Sequence, residues 1–279
     1  FGSGKLLELN GTHVLETIHD FINEHKGKYI FMALSYDTKN EIEDLYSRNP
    51  DEIEFPAAVI WCPDVVVKIK DREYTFVQGE ETELNRQTLN QFLKENTLKS
   101  DLESSYQFIP RISKETYIQK VKKLKDHIQR GDIYEINYCQ EFNSYNADIQ
   151  LNKDTYFKLN NITKAPFSSY FHFGDFDVYC GSPERFIKLK NNQLITQPIK
   201  GTIRRGVTNQ EDEELKQQLE QDPKERAENI MIVDLMRNDF SKLAQKDSVQ
   251  VDELCGIYSF ETVHQMISTI SCTIDKEKS

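Results

Sequence analysis

The chain has 279 residues, 38% of them apolar and 11% aromatic, which allows two ordinary domains or one large one and argues against disorder. Its formal net charge is −11, with acidic and basic residues well mixed. That balance lacks the basic stripe of a nucleic-acid binder and offers nothing to draw the chain to an anionic membrane.

No apolar run approaches the roughly 20 residues that cross a bilayer; the longest, YIFMAL and AAVIWC, are strand-sized. The five cysteines (Cys62, Cys139, Cys180, Cys255, Cys272) are scattered and include no CxxC, so they read as reduced core residues of a cytoplasmic protein. Phe1 is not a natural start, and upstream residues are expected.

In chain order, residues 12–26 carry helical spacing, with Val14, Ile18, Phe21 and Ile22 on one face and only a loose cap at Thr12. KYIFMALSYD and AAVIWCPDVVVKIKDREYTFV are rich in β-branched and aromatic residues and predict strands. The polar stretch 78–107 predicts a short helix and then a linker, with a domain boundary near residue 109. The next helix starts at Ser113 with Thr116, shows a Tyr117, Val121, Leu124, Ile128 stripe, and ends at Gly131. IYEINYCQEFNSY alternates like a strand, TYFKLNNIT reads as helix, and FSSYFHFGDFDVYCGS reads as two strands around Gly174-Asp175. ERFIKLKNNQLITQPIKG predicts a hairpin turning at Asn191-Asn192.

A three-residue turn there pairs Lys190 with Leu194 and sets Glu184 opposite Lys200; a two-residue turn puts those two on opposite faces. The Leu189–Ile195 pairing favours the first. A cross-strand Glu–Lys pair is most often a surface ion pair worth about 0–1 kcal/mol. Two features favour a more specific role. Gly181-Ser182-Pro183 is a turn that projects Glu184, and Gly201 after Lys200 admits a close neighbour.

In QDPKERAENIMIVDLMRNDF, Asp222 caps a helix, Pro223 opens it, and Glu225 completes a start like a capping box. Ala227, Ile230, Met231 and Leu235 are the predicted buried stripe. Glu225 and Glu228 lie about 60° apart around the helix, a placement that suits an oxygen-ligated cation such as Mg²⁺. Capping alone accounts for Glu225, however, and one helical ExxE is a weak signal. VDLMRND predicts a salt-bridge network at the helix end. His264, in YSFETVHQMIST, sits among Val263, Met266 and Ile267, where a satisfied core histidine is the commoner outcome.

Together, GDIYEINYCQEF (131–142), GSPERFIKL (181–189), QPIKGTIRRG (197–206), DPKERAENIMIVDLMRND (222–239) and YSFETVHQMIST (258–269) resemble the chorismate-binding enzymes. That family includes anthranilate synthase component I, aminodeoxychorismate synthase component I, and the isochorismate and salicylate synthases. The resemblance covers residues 110–279, with a weaker likeness in MALSYDTKNEIEDL (32–45) to the N-terminal region of short aminodeoxychorismate synthases. Anthranilate synthases read PIAGT where this chain reads PIKGT, a form that resembles aminodeoxychorismate synthase.

The resemblance implies an α+β fold, a layered sandwich of mostly antiparallel sheets with packed helices. It divides the chain into an incomplete N-terminal region, 1–109, and a catalytic region, 110–279, that continues past Ser279. The segments expected there complete the metal and substrate site, so these residues alone are expected to be inactive and to bind Mg²⁺ and chorismate weakly.

The implied activity is amination of chorismate to 4-amino-4-deoxychorismate, on the way to p-aminobenzoate and folate. Ammonia would come from a separate glutamine amidotransferase. Lys200 matches the lysine that attacks C2 and expels the C4 hydroxyl before ammonia adds at C4. Glu184 matches the acid that protonates the departing hydroxyl. Glu228 and Glu225 match Mg²⁺ ligands, and Gly201, Thr202 and His264 match the substrate pocket. An attacking amine must be uncharged, and nearby positive charge from Mg²⁺ promotes that state. Anthranilate synthase component I and a non-catalytic fragment or binding module of the same fold remain the alternatives.

Overall fold

The computed structural model describes residues 4–71, 73–94, 107–144 and 153–275. The chain divides into two compact units, Phe1–Leu98 and Lys99–Ser279. The expected linker lies largely in 95–106, outside the described residues.

In the first unit, strands β1 (Gly4–Leu9), β2 (Phe31–Leu34) and β3 (Ala58–Pro63) form an antiparallel sheet with β3 central. Helix α1 (Val14–Glu24) covers it, burying Val14, Ile18 and Phe21 against Ala58, Ile60 and Cys62. Ile22, predicted on that face, is instead 44% exposed. No side chain at the helix start caps α1. The Glu41 carboxylate, from a 3₁₀ turn at Tyr36–Glu41, accepts the Val14 and Leu15 amides. A β4–β5 hairpin (Val66–Lys70, Glu73–Gln78) and α2 (Glu83–Lys94) complete the unit.

The second unit opens with a short β6–β7 pair (Ile109–Pro110, Phe142–Asn143) that brackets α3 (Lys114–Arg130). Ser113 Oγ accepts the Thr116 amide, and Gly131 closes the helix at φ 77°, as the sequence predicts. Tyr117, Val121, Leu124 and Ile128 form its half-buried stripe. Of the strand expected over 133–145, only Phe142–Asn143 is a strand; the rest of its described residues run irregularly, and residue 145 lies outside the described residues. Helix α4 (Lys153–Thr163) packs on the hairpin β8–β9 (Phe167–Phe173, Phe176–Ser182).

The main sheet contains β10 (Arg185–Lys190), β11 (Gln193–Gln197), β12 (Ile199–Arg204), β13 (Gln250–Ser259) and β14 (Val263–Thr273). β14 is its spine. One edge pairs with β13; the other takes β11 along its C-terminal part and β12 along its N-terminal part. Strands β11 and β12 thus lie end to end, broken at Pro198, which has no amide to donate, while its carbonyl still accepts the Ser268 amide. Helices α5 (Asn209–Gln221) and α6 (Pro223–Leu243) cover one face. Leu194, Val233, Phe240, Ala244, Ile270 and Cys272 form one core; Leu219, Cys255 and Met266 form another. This is the expected α+β class, with antiparallel sheets and packed helices.

Two further expectations are corrected. The β10–β11 turn has two residues, Asn191 and Asn192, both at positive φ (54° and 63°), so Lys190 pairs with Gln193 and Leu189 with Leu194. Asparagine tolerates the left-handed region, and that lets the tighter turn form. The buried stripe of α6 is Asn229, Val233 and Phe240; Ala227 is exposed, and Ile230 and Leu235 are 38% and 49% exposed. A polar residue at the head of the true stripe disguised it. Of the cysteines, Cys139 is exposed; Cys62, Cys255 and Cys272 are buried, and all five are free thiols.

Candidate active site

The site gathers at the break between β11 and β12. From Ile199↔Ile267 to Thr202↔Gln265, β12 advances three residues while β14 advances two. The extra residue is a bulge, and Gly201 sits in it at φ 90°, a conformation that costs glycine little and other residues much. A bulge re-aims its side chains, and here it releases Lys200 from the strand's alternation. Thr202 resumes the ladder opposite Gln265.

Lys200 Nζ donates to Glu135 Oε1 at 2.6 Å, with the two side chains 25% and 28% exposed. Sequence reasoning gave Glu135 no role. It comes from the irregular segment 133–141, and it carries no local pattern to mark it. That segment is fastened at both ends. The Asp132 amide donates to the His127 carbonyl at 3.0 Å, and the Arg111 guanidinium grips Glu141 through Nε at 2.7 Å and Nη2 at 2.8 Å. The Arg111 bond holds the Glu141 carboxyl below its ordinary range. Tyr117 and Tyr138 stack with ring centroids 5.2 Å apart.

Glu184 does not sit opposite Lys200. A register shift between Arg185 and Lys188 interrupts the β10–β11 pairing, and Glu184, an exposed residue, turns its carboxylate to the next strand, where Oε1 accepts the Ile199 amide at 3.1 Å. It therefore reaches the backbone one residue before Lys200. The Glu184 amide donates to Ser182 Oγ at 3.3 Å, so the Gly181-Ser182-Pro183 turn sets its direction.

Glu225 and Glu228 stand on the first turns of α6. Asp222 Oδ1 accepts the Lys224 and Glu225 amides at 2.9 and 3.0 Å, and Pro223 opens the helix. The reciprocal half of a capping box is missing, because the Asp222 amide goes to the Leu219 carbonyl. Capping therefore does not occupy the Glu225 carboxylate. Lys224 Nζ bridges the pair, 3.0 Å from Glu225 Oε1 and 2.9 Å from Glu228 Oε1, and the Glu228 and Glu225 contacts push its ammonium up. Both carboxylates thus converge on one positive charge. That donor set fits Mg²⁺, which takes one or two carboxylates and fills its sphere with water and substrate oxygens. No cluster of three or more His, Cys, Asp or Glu side chains suited to a metal occurs among the described residues.

Behind them, Asn229 is fully buried and locks α6 to the sheet. Its Nδ2 donates to the Met266 carbonyl at 3.3 Å, and its Oδ1 accepts the Ser268 hydroxyl. Ser268 Oγ in turn accepts the Cys255 amide at 2.8 Å, where β13 bulges and Cys255 sits at φ 56°. Burying an amide is tolerated because its partners are made; leaving them unmet costs about 1–3 kcal/mol.

His264 is wholly enclosed and lies on the helix-facing side of β14. Its Nδ1 is 2.8 Å from Ser259 Oγ and its Nε2 is 3.0 Å from Asp212 Oδ1, so neither ring nitrogen is free for a ligand. Asp212 was not singled out from the sequence. It receives the Arg205 guanidinium through Nε at 2.8 Å and Nη2 at 2.6 Å, and the Gly206 amide at 2.7 Å. Arg205 first, then the Gly206 amide and His264, hold its carboxyl well below the usual range. On the other side of β14, Gly181, Pro183, Thr163, Phe260, Val263 and Gln265 border a cleft of about 320 Å³. The salt bridges predicted near the end of α6 are separate exposed pairs, Arg237–Asp234 and Lys242–Asp239.

The sequence profile of the chorismate binding enzyme family matches residues 5–279. Aminodeoxychorismate synthase component 1 of Klebsiella aerogenes is 32% identical over 242 residues, covering 86% of this chain and 52% of that protein. The Bacillus subtilis protein of the same name is 30% identical over 272 residues, covering 91% and 56%. The crystal structure of anthranilate synthase component I from Streptococcus pneumoniae TIGR4 superposes with a TM-score of 0.73 at 25% identity, covering 90% of this chain and 58% of that one. The chain thus spans about half the length of the relatives it matches. With its fold, its lysine-bearing bulge and its paired carboxylates on α6, the chain belongs to the chorismate binding enzyme family.

Proposed function

We propose that this chain carries the chorismate-aminating half of an aminodeoxychorismate synthase. The reaction converts chorismate to 4-amino-4-deoxychorismate, the precursor of p-aminobenzoate and folate, with ammonia from a glutamine amidotransferase partner in the cytoplasm. The observation that carries the reading is Lys200 in its glycine bulge: shielded, hydrogen-bonded to a carboxylate, and next to the residue that abuts Glu225. An anthranilate synthase would need no amine there.

Lys200 attacks C2 of the ring, and Glu184, beside it at the Ile199 amide, gives its proton to the C4 hydroxyl. Glu225 and Glu228 would hold Mg²⁺ once Lys224 swings aside, and the ion would offset the negative charge of the substrate's ring carboxylate. Gly201 and Thr202 line the approach. His264 supports the site from behind by holding Asp212 and the Arg205 loop. The two names among the relatives, aminodeoxychorismate synthase and anthranilate synthase, make product identity the deciding test. The full-length protein given chorismate, ammonium and Mg²⁺ should form 4-amino-4-deoxychorismate, and Lys200→Ala should abolish it. Anthranilate as the product, or unchanged amination in Lys200→Ala, would refute the reading.

A further inference from the structure

We propose that Glu135 is the proton acceptor that prepares the Lys200 amine and returns its proton at the end of the cycle; this deepens the aminating reading and rests on it. The geometry is specific. Glu135 Oε1 lies 2.6 Å from Nζ and is the one carboxylate hydrogen-bonded to Lys200 among the described residues. In the other lysine–carboxylate pairs of the described residues at least one partner is well exposed, as in Lys39–Asp37 at 26% and 59% or Lys242–Asp239 at 65% and 47%; here both are shielded, at 25% and 28%. The segment that bears Glu135 has no regular structure, yet Asp132–His127 and Arg111–Glu141 pin its two ends. That anchoring serves position. A strand would have alternated its side chains, whereas this segment delivers one carboxylate to one amine.

The chemistry needs such a group. An ammonium has no free electron pair, so one N–H bond must break before Nζ can bond to carbon. Glu135 takes that proton on Oε1. The freed pair of Nζ bonds to C2, the ring double bonds shift toward C4, and the C4–O bond breaks. Glu184 protonates the leaving oxygen, which departs as water. Ammonia then bonds at C4, the double bonds shift back, and the C2–N bond breaks, with its electron pair returning to Nζ as a neutral amine. Glu135 hands its proton back to Nζ, and the new C4 ammonium gives one proton to Glu184. Every group ends as it began, and the sum is chorismate plus ammonia to aminodeoxychorismate plus water. Glu184 could not serve both ends at once, since it must be protonated when Nζ needs a base.

The test uses the full-length protein with Glu135→Gln and Glu135→Asp. Glutamine keeps an oxygen for Nζ to donate to, but it cannot accept the proton. With chorismate and saturating ammonium, Glu135→Gln should lose about 10²–10⁴-fold in kcat with KM for chorismate little changed, and Glu135→Asp should recover part of the loss. In parallel, the resting proteins are acetylated with trace acetic anhydride and the peptide bearing Lys200 is quantified by mass spectrometry. Lys200 should label several-fold faster in Glu135→Gln, because the Glu135 carboxylate no longer engages Nζ. A kcat within about threefold of wild type, or unchanged labelling, would overturn the proposal. If the wild-type protein fails to aminate chorismate, the aminating reading falls separately, and the labelling still decides whether Glu135 governs the Lys200 amine.

Discussion

The backbone of Gly201 lies against the side chain of Glu225 with room for little more than a hydrogen atom. A Cβ on Gly201 would meet Glu225 Cβ at 3.1 Å, Leu219 Cδ1 at 3.2 Å and Glu225 Oε2 at 3.3 Å. The strand that carries the amine and the helix that carries the paired carboxylates are therefore in direct contact, and glycine is what permits it. Gly201→Ala faces both this crowding and a φ of 90°, so thermal or denaturant unfolding should show a loss of about 1–3 kcal/mol. Amination should fall by more than the stability loss explains, because both halves of the site move. Wild-type turnover in a destabilised Gly201→Ala protein would show that the contact does not couple them.

Glu184→Gln separates the structural bond of that residue from its proposed role as the acid. Its carboxylate oxygen accepts the Ile199 amide, and a carboxamide oxygen preserves that bond. Stability should stay within about 0.5 kcal/mol of wild type. Turnover should drop by about 10²–10⁴-fold because the acid is gone. Equal turnover would remove Glu184 from the chemistry.

Lys224→Met opens the carboxylate pair. Lys224 is the cation that Glu225 and Glu228 share, so a metal held by this pair would compete with it for the same oxygens. Calorimetric titration of the full-length protein with Mg²⁺ alone should show binding tighter by several-fold, in line with ~0.2–1 kcal/mol for an exposed ion pair. Weaker or unchanged binding would mean that the metal does not use this pair.

Acid stability should report on Asp212. Its carboxyl is held low by Arg205, then by Gly206 and His264, so folding favours the ionised form. That contribution is complete above the ordinary carboxylate value and is lost as pH falls through the lowered one. Asp212→Asn should therefore melt below wild type at pH 7, with the gap closing from about pH 4 downward. Melting curves from pH 7 to pH 2 decide it; a gap constant across that range would contradict the assignment.

Local signals in the sequence were read with most success where the physics is local. Ser113, the Tyr117 to Ile128 stripe and Gly131 bounded α3 because capping and helical period act within a few residues. The Asn191-Asn192 turn was placed, but its length was not, since the choice between two and three residues depended on how β11 meets β14. The buried face of α6 was misread because Asn229 looks like a surface residue until its partners on Met266 and Ser268 are known. Glu135 and Asp212 escaped notice for the same reason. Each gains its meaning from residues 65 and 52 positions away, Lys200 and His264. The paired carboxylates of α6 were visible as spacing, but only the missing half of the capping box showed that Glu225 is available.

In the proposed reaction Lys200 bonds to the ring. The most direct measurement is mass spectrometry of the full-length protein incubated with chorismate and Mg²⁺ without ammonia, then quenched and digested. The peptide bearing Lys200 should gain the mass of chorismate less one water, an increment absent in Lys200→Ala and discharged by ammonium. An unmodified Lys200 peptide in a protein that nonetheless aminates chorismate would contradict it.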